Sequence, residues 1–149
     1  MATINIDLDT IQATTAKALA AHGAAPWIAD SVAHAVRVAE AHGNRICGLF
    51  YLDSYCNQLR VGRVKGNVEP QVSQPKPASV MVDAKLGFAQ AAFSRGLDTA
   101  LVAAKTNGVA TLAICHSHTC TSMGYFTEQI ARAGYIAIGM DHFALPGDA

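Results

Sequence analysis

Residues 115–120, CHSHTC, bring two thiols and two imidazoles within six positions. Donors of this kind bind zinc when four of them converge on a tetrahedron. On an extended strand His116, His118 and Cys120 face one way and Cys115 the other, so three ligands at most converge. The stretch is therefore expected to be a strand end whose histidines meet backbone or a partner subunit, and no metal is assigned to it. Just downstream, Thr119, Thr121 and Ser122 precede a helical pattern. Their hydroxyls, with the free N–H groups of a helix start, suit an anion, and simple capping accounts for them equally well. His22, His34 and His42 read as helix-surface residues, with His42 at a helix end where the dipole favours a cation.

Composition narrows what these groups can serve. The chain has 149 residues, 51% hydrophobic and 15% charged, enough for a folded, well-buried domain. Eleven basic residues balance eleven acidic ones, which removes any whole-chain electrostatic case for nucleic acid or an anionic membrane. RVGRVK, residues 60–65, is a small basic cluster, read as a solvated loop in preference to a phosphate site. Four cysteines without a CxxC pair, and an N-terminus without a basic and apolar leader, point to a reducing cytoplasm. No apolar run reaches membrane-spanning length.

The elements that must position these residues begin with three helices. A short strand is expected over Thr3–Ile6, then a helix capped by Asp7 that runs to His22, buries Leu8, Ile11, Thr15, Ala18 and Leu19, and stops at Gly23. Pro26 suits the first turn of a second helix with Ile28, Val32, Ala35, Val36 and Ala39 as its apolar stripe. In residues 38–66, Leu49, Leu52, Cys56 and Leu59 recur at helical spacing, leaving Tyr51, Asn57 and Arg60 elsewhere, and Gly43 and Gly62 stand where helices stop. Residues 62–77 hold three prolines and no period and read as a surface connection.

Beyond that loop the pattern alternates. SVMVD at 79–83 reads as a strand, Gly87 to Lys105 as a helix ended by Gly108, and VATLAICH at 109–116 as the best strand. A helix to Ala133, capped by Thr121 or Ser122, and a strand YIAIGM at 135–140 follow, the last two strands parallel. The expected fold is α/β: a helical unit over 1–66, then an incomplete β/α layer over 67–149, together one compact domain. Three strands with two helices leave a parallel sheet short of cover, which suggests the front part of a larger α/β protein.

GLFYLDSYCNQLRVGRVKG at 48–66, VDAKLGFAQ at 82–90 and KTNGVATLAICHSHTCTSMGYFTEQIARAGYIAIGM at 105–140 resemble, in order, segments of the malate/L-lactate dehydrogenase-type oxidoreductases. The nearest branch reduces cyclic imino acids such as pyrroline- and piperideine-2-carboxylate. The resemblance implies a fold other than the Rossmann domain, in chains longer than this one. It implies NADH or NADPH as cofactor, a 2-oxo acid or cyclic 2-imino acid as substrate, and a homodimer or a separately encoded C-terminal half as partner.

The same resemblance assigns roles to residues. The family's Ser-His pair falls on Ile46 and Cys47, and its arginine four residues later on Tyr51. Its second histidine falls on Thr119, and a local shift places His118 in that turn. The catalytic candidates are therefore His118, Cys47 and Tyr51, and the cofactor-side candidates Thr119, Thr121 and His142, the last lying just before the position of a family Ser or Thr. Ile46 donates no hydrogen bond, a thiol is a poorer proton donor than an imidazolium near neutrality, and a tyrosine offers one hydrogen bond where an arginine offers a charged fork. A non-catalytic homologue, or a module that pairs with another chain, is the alternative.

Overall fold

The computed structural model describes residues 5–141. Asp7 caps α1 (Leu8–Ala21): its carboxylate accepts from the Thr10 amide at 2.7 Å and the Thr10 hydroxyl at 2.6 Å. α2 (Pro26–Ala41) opens on Pro26 and buries Ile28, Val32, Ala35, Val36 and Ala39, the stripe expected from its period. Two 3₁₀ turns, Arg45–Cys47 and Leu49–Tyr51, then lead into α3 (Leu52–Arg60). That helix starts later than the apolar period suggests, and Leu49 is exposed while Cys56 and Leu59 are buried. Ile11, Leu19, Ile28, Val32, Tyr55 and Leu59 form one core cluster that also takes in Phe88 and Ala91 from the later half of the chain.

The second half is a three-stranded mixed sheet, β1 (Gln71–Lys76), β2 (Ser79–Asp83) and β3 (Thr111–Cys115), in the order β1-β2-β3. β1 is antiparallel to β2, and β2 is parallel to β3 with Ser79 beside Thr111 and Asp83 beside Cys115. α4 (Ala89–Asn107) connects the parallel pair and α5 (Met123–Arg132) follows β3. The result is the α/β class with a helical N-terminal unit.

Three expectations need correction. β1 runs through the stretch read as a plain connection. It is an edge strand, where Pro75 needs no ladder donor, and its register shifts between Ser73 and Lys76 around that proline. Residues 135–140 form no strand among the described residues: Ile136, Ile138 and Met140 are exposed, and alternation without a neighbouring strand supplies no hydrogen-bond partner. The parallel pair is accordingly β2 with β3. Of the strand expected at 3–6, residues 3 and 4 lie outside the described residues, and Asn5 and Ile6 are not in a strand.

α4 covers one face of the sheet. Val80 and Val82 are fully buried beneath it, while the intervening Met81 points to the other face and is exposed. Gly96 is where helix and sheet come closest: a Cβ there meets Val82 Cγ2 at 2.6 Å and Leu112 Cδ1 at 2.8 Å. Gly96→Ala is expected to lower unfolding free energy by about 1–3 kcal/mol through overpacking, outweighing the roughly 1 kcal/mol gain in helix propensity, as read by urea denaturation. A stabilised variant would mean that the helix lifts freely off the sheet.

Candidate active site

β2 and β3 end side by side at Asp83 and Cys115, and the chain beyond them is laced by backbone hydrogen bonds. Ala84 N–H donates to Cys115 O (3.0 Å), Leu86 N–H to His116 O (2.7 Å), His118 N–H to Gly87 O (2.8 Å) and Lys65 N–H to Leu86 O (2.9 Å). Lys85, Leu86 and His116 pay for this lacing with left-handed backbone at φ of 51°, 64° and 50°. In α/β sheets the carboxyl ends of parallel strands are where ligands collect. Here that edge faces the exit of α3.

Tyr55 of α3 joins the two. Its ring is fully buried, edge-on to Tyr51 (5.0 Å between centroids), Phe88 (5.5 Å) and His118 (5.8 Å). The direction of its hydrogen bonds follows by elimination. Thr121 Oγ1 donates to Cys120 O at 2.7 Å, so the phenol donates to Thr121 Oγ1 at 3.0 Å. Gln90 Nε2 donates to Cys120 O at 3.1 Å and, more weakly, to the phenol oxygen at 3.5 Å. Burial raises the Tyr55 pKa, so the phenol stays neutral. Gln90 Oε1 is buried without a partner.

His118 lies against Tyr55 and Phe88, its Nδ1 buried and unpartnered. Burial, reinforced by the positive charge of Arg63, lowers its pKa from 6.5 to about 4. The ring is therefore neutral at neutral pH, a hydrogen-bonding group and proton acceptor. Cys120 is held protonated: burial first, then its hydrogen bond to Asp141 (3.2 Å) and that carboxylate's charge, push the thiol up to about 12.

Three of the sequence candidates, Tyr51, His118 and Thr121, thus meet around one phenol. Tyr51 lies edge-on to Tyr55, and Cys47 is half-buried in the first 3₁₀ turn before α3. Thr121 is bonded to Tyr55, with its hydroxyl committed inside the protein. Thr119 is half-buried, and its Oγ1 accepts a long contact from the Thr121 amide at 3.4 Å. His142 lies outside the described residues. Sequence reasoning gave no role in the site to Tyr55, read as a core or interface residue, to Gln90, noted only within the family-like stretch 82–90, or to Arg63, read as part of a solvated loop. The signal for Arg63 was the basic cluster at 60–65.

His116 does not follow the strand alternation expected for CHSHTC. β3 ends at Cys115, and the left-handed turn at His116 directs its Nδ1 to Asp83 Oδ1 at 3.1 Å, away from His118. His22 and His42 are exposed at helix ends, each bonding a carbonyl one turn back. His34 is half-buried, edge-on to Tyr125.

Residues 6–144 match the malate/L-lactate dehydrogenase family. The chain belongs to that family. It is 33% identical over 119 residues to the delta-1-pyrroline-2-carboxylate/delta-1-piperideine-2-carboxylate reductase of Pseudomonas putida, a match spanning 80% of this chain and 35% of that one. It is 31% identical over 137 residues to the (2R)-3-sulfolactate dehydrogenase (NADP(+)) of Chromohalobacter salexigens, spanning 92% of this chain and 41% of that one. The crystal structure of delta-1-piperideine-2-carboxylate reductase from Pseudomonas syringae superposes with a TM-score of 0.85 at 30% identity, covering 89% of this chain and 40% of that one. The chain therefore spans well under half the length of these malate/L-lactate dehydrogenase relatives.

The malate/L-lactate dehydrogenase family implies a nicotinamide dinucleotide, and the described residues fit its surroundings only in part. The cluster of Tyr51, Tyr55 and His118 offers a phenol and a neutral imidazole on which the charge of Arg63 acts. The neighbouring groove of about 800 Å³, between α4, β3, α5 and residues 134–141, is lined largely by apolar side chains such as Phe93, Leu97, Ile130 and Ile138. Among the described residues its lining includes no lysine or arginine for a diphosphate, and its acidic group is Asp141. A dinucleotide does not fit that groove through the groups present.

Two stability effects follow from the cluster. Tyr55→Phe strips a donor from Thr121 and an acceptor from Gln90, and is expected to cost about 1–2 kcal/mol in urea unfolding; an unchanged midpoint would show that the hydroxyl is dispensable. For His118, the unfolded chain takes up a proton below pH 6.5 that the folded ring refuses until about pH 4. Stability should fall as pH drops through that window, by on the order of 1–2 kcal/mol once the ring's partial exposure is allowed for. His118→Phe should flatten this slope, leaving the smaller part due to His34, whose pKa burial also lowers. An undiminished slope would place the titration elsewhere.

Proposed function

We propose that this chain forms the substrate side of an NAD(P)H-dependent reductase acting on a 2-oxo acid or a cyclic 2-imino acid. The supporting observation is that Tyr51 and His118 lie edge-on to buried Tyr55 beyond the carboxyl edge of the parallel strands, with the charge of Arg63 acting on His118. Arg63 offers the cation that the family's arginine supplies where this chain has Tyr51, and Tyr51 adds a hydrogen bond to the same carboxylate. His118, kept neutral by burial, would hydrogen-bond the reacting carbonyl or imine through a ring N–H. A nicotinamide held by the rest of the family-length fold would supply hydride, and the residues here would bind, orient and shield the acid.

Diphosphate-binding groups and cover for the apolar groove come, in this reading, from the part of the family-length fold outside the matched span, in the same or a separate polypeptide. The exposure of Ile136 (97%), Ile138 (87%) and Met140 (88%) along that groove supports such an occupant. The alternative, a non-catalytic homologue, draws on Ile46 and Cys47 standing at the family's Ser-His positions.

A thermal-shift titration separates the two, with the oligomeric state recorded on the same sample. Pyrroline-2-carboxylate or pyruvate should raise Tm saturably, by about 2.7 kcal/mol of apparent stability at a hundredfold excess over Kd. Arg63→Gln should weaken that response about tenfold or more, the loss of a charge-assisted hydrogen bond of about 1.5–3 kcal/mol. No response to either acid, or to NADH and NADPH, at millimolar concentration would favour the non-catalytic reading.

A further inference from the structure

We propose that Asp83, Cys115 and His116 form a three-ligand site for a divalent transition metal of the zinc class, leaving its fourth position to solvent. This site is separate from the Tyr55 cluster and does not rest on the functional reading above. Its ligands come from the two strand ends. Asp83 and Cys115 are register partners, the last residues of parallel β2 and β3, so the pleat presents them next to each other. The next residue, His116, leaves the strand at φ 50°, a conformation that an L-residue adopts only when its surroundings impose it. That turn carries the imidazole back onto the carboxylate, with Nδ1 3.1 Å from Oδ1.

One carboxylate oxygen, one sulfur and one imidazole nitrogen consequently lie within 4.8 Å of one another. Metal–ligand bonds of about 2.0–2.3 Å place tetrahedral ligand atoms roughly 3.3–3.8 Å apart. The His116–Asp83 pair is already at about that spacing, and the remaining closure is within reach of the Cys115 χ1 rotation. Little holds the thiol where it is: its one polar contact is a 3.7 Å approach to Val82 O. Cys115 is half-buried and His116 exposed, which gives an ion both anchorage and access.

The donor set selects the metal. Calcium and magnesium prefer all-oxygen shells, whereas mixed N, S and O ligation suits zinc and its tetrahedral analogues. Two groups compete for Asp83: the backbone N–H of Lys85, which donates to Oδ1 at 2.8 Å, and the Lys85 ammonium, whose charge acts on the carboxylate. The first can persist as an outer hydrogen bond on a ligating carboxylate, and the second must swing away. A bound ion would tie β2 to β3 where both left-handed turns begin, replacing one 3.1 Å side-chain contact with three coordinate bonds.

The test uses the full chain, reduced and freed of metal, with Co²⁺ as the probe. Tetrahedral thiolate ligation gives intense visible d–d bands and a near-ultraviolet sulfur-to-cobalt charge-transfer band. Expected are saturation at one cobalt per chain, displacement by Zn²⁺, and a rise in Tm with Zn²⁺. Cys115→Ser should abolish the charge-transfer band, and His116→Gln or Asp83→Asn should weaken binding by at least the ~10–100-fold typical of lesser changes around a metal. His116→Gln, at an exposed side chain, serves should Cys115→Ser fail to fold. No charge-transfer band at saturating Co²⁺ would overturn the proposal. So would a band that survives Cys115→Ser and is lost in Cys47→Ser or Cys120→Ser, or binding untouched by His116→Gln.

Discussion

Placing the Tyr55 phenol in the core creates a hydroxyl that must be satisfied without water, and its solution fixes three elements at once. α3 supplies the ring, the first turn of α4 supplies Gln90, and the approach to α5 supplies Thr121. The Cys120 carbonyl beyond them accepts from Gln90, from the Thr121 hydroxyl and from the Ser122 amide at 2.9 Å. An unpaired buried polar group costs about 1–3 kcal/mol, so the network penalises any shift of one member relative to the rest. That penalty explains why Thr121 holds φ 59° although it is not glycine. It also ties the helical N-terminal unit to the sheet edge, since no other fully buried side chain of α3 hydrogen-bonds to the α5 approach.

The electrostatic character of the edge follows from this packing. Desolvation keeps Tyr55 neutral, His118 uncharged and Cys120 protonated, so the groups nearest the phenol carry no charge at neutral pH. Arg63 is the cation whose field reaches His118. A cation beside a low-dielectric cluster attracts a small anion more strongly than the same charge would in water. A carboxylate arriving beside Arg63 would also offset the charge that lowers the His118 pKa, drawing it upward. On the proposed reading, acid binding and proton affinity at the imidazole would be coupled.

The sequence made the elements with local signals legible. Asp7, Pro26, Gly23 and Gly108 mark helix ends through capping and left-handed turns, and the apolar stripe of α2 and the SVMVD strand follow from their periods. β1 escaped because Pro75 within it, and Pro70 and Pro77 beside it, are turn signals in isolation, and only an edge position makes Pro75 tolerable. YIAIGM was over-read for the complementary reason: alternation at 135–140 states what a strand would bury, but a strand exists only where a neighbour accepts its hydrogen bonds.

The site was less legible because its geometry is set by long-range packing. Nothing local places Tyr55 within hydrogen-bonding distance of a residue 66 positions away. The family resemblance pointed to Cys47, Tyr51 and the 118–121 turn. The residues that hold that turn, Tyr55 and Gln90, had no functional signature: an aromatic at helical spacing is usually a core residue, and a glutamine is usually exposed, so neither type announces a buried polar network. The same holds at the strand ends. Strand alternation was carried through Cys120 although the strand ends at Cys115, and one left-handed residue at 116 exchanged His118 for Asp83 as the neighbour of His116. A single φ sign therefore separates two imidazoles only two positions apart, one lodged against the Tyr55 cluster and the other on the exposed carboxylate of β2, and no periodicity argument carries that sign.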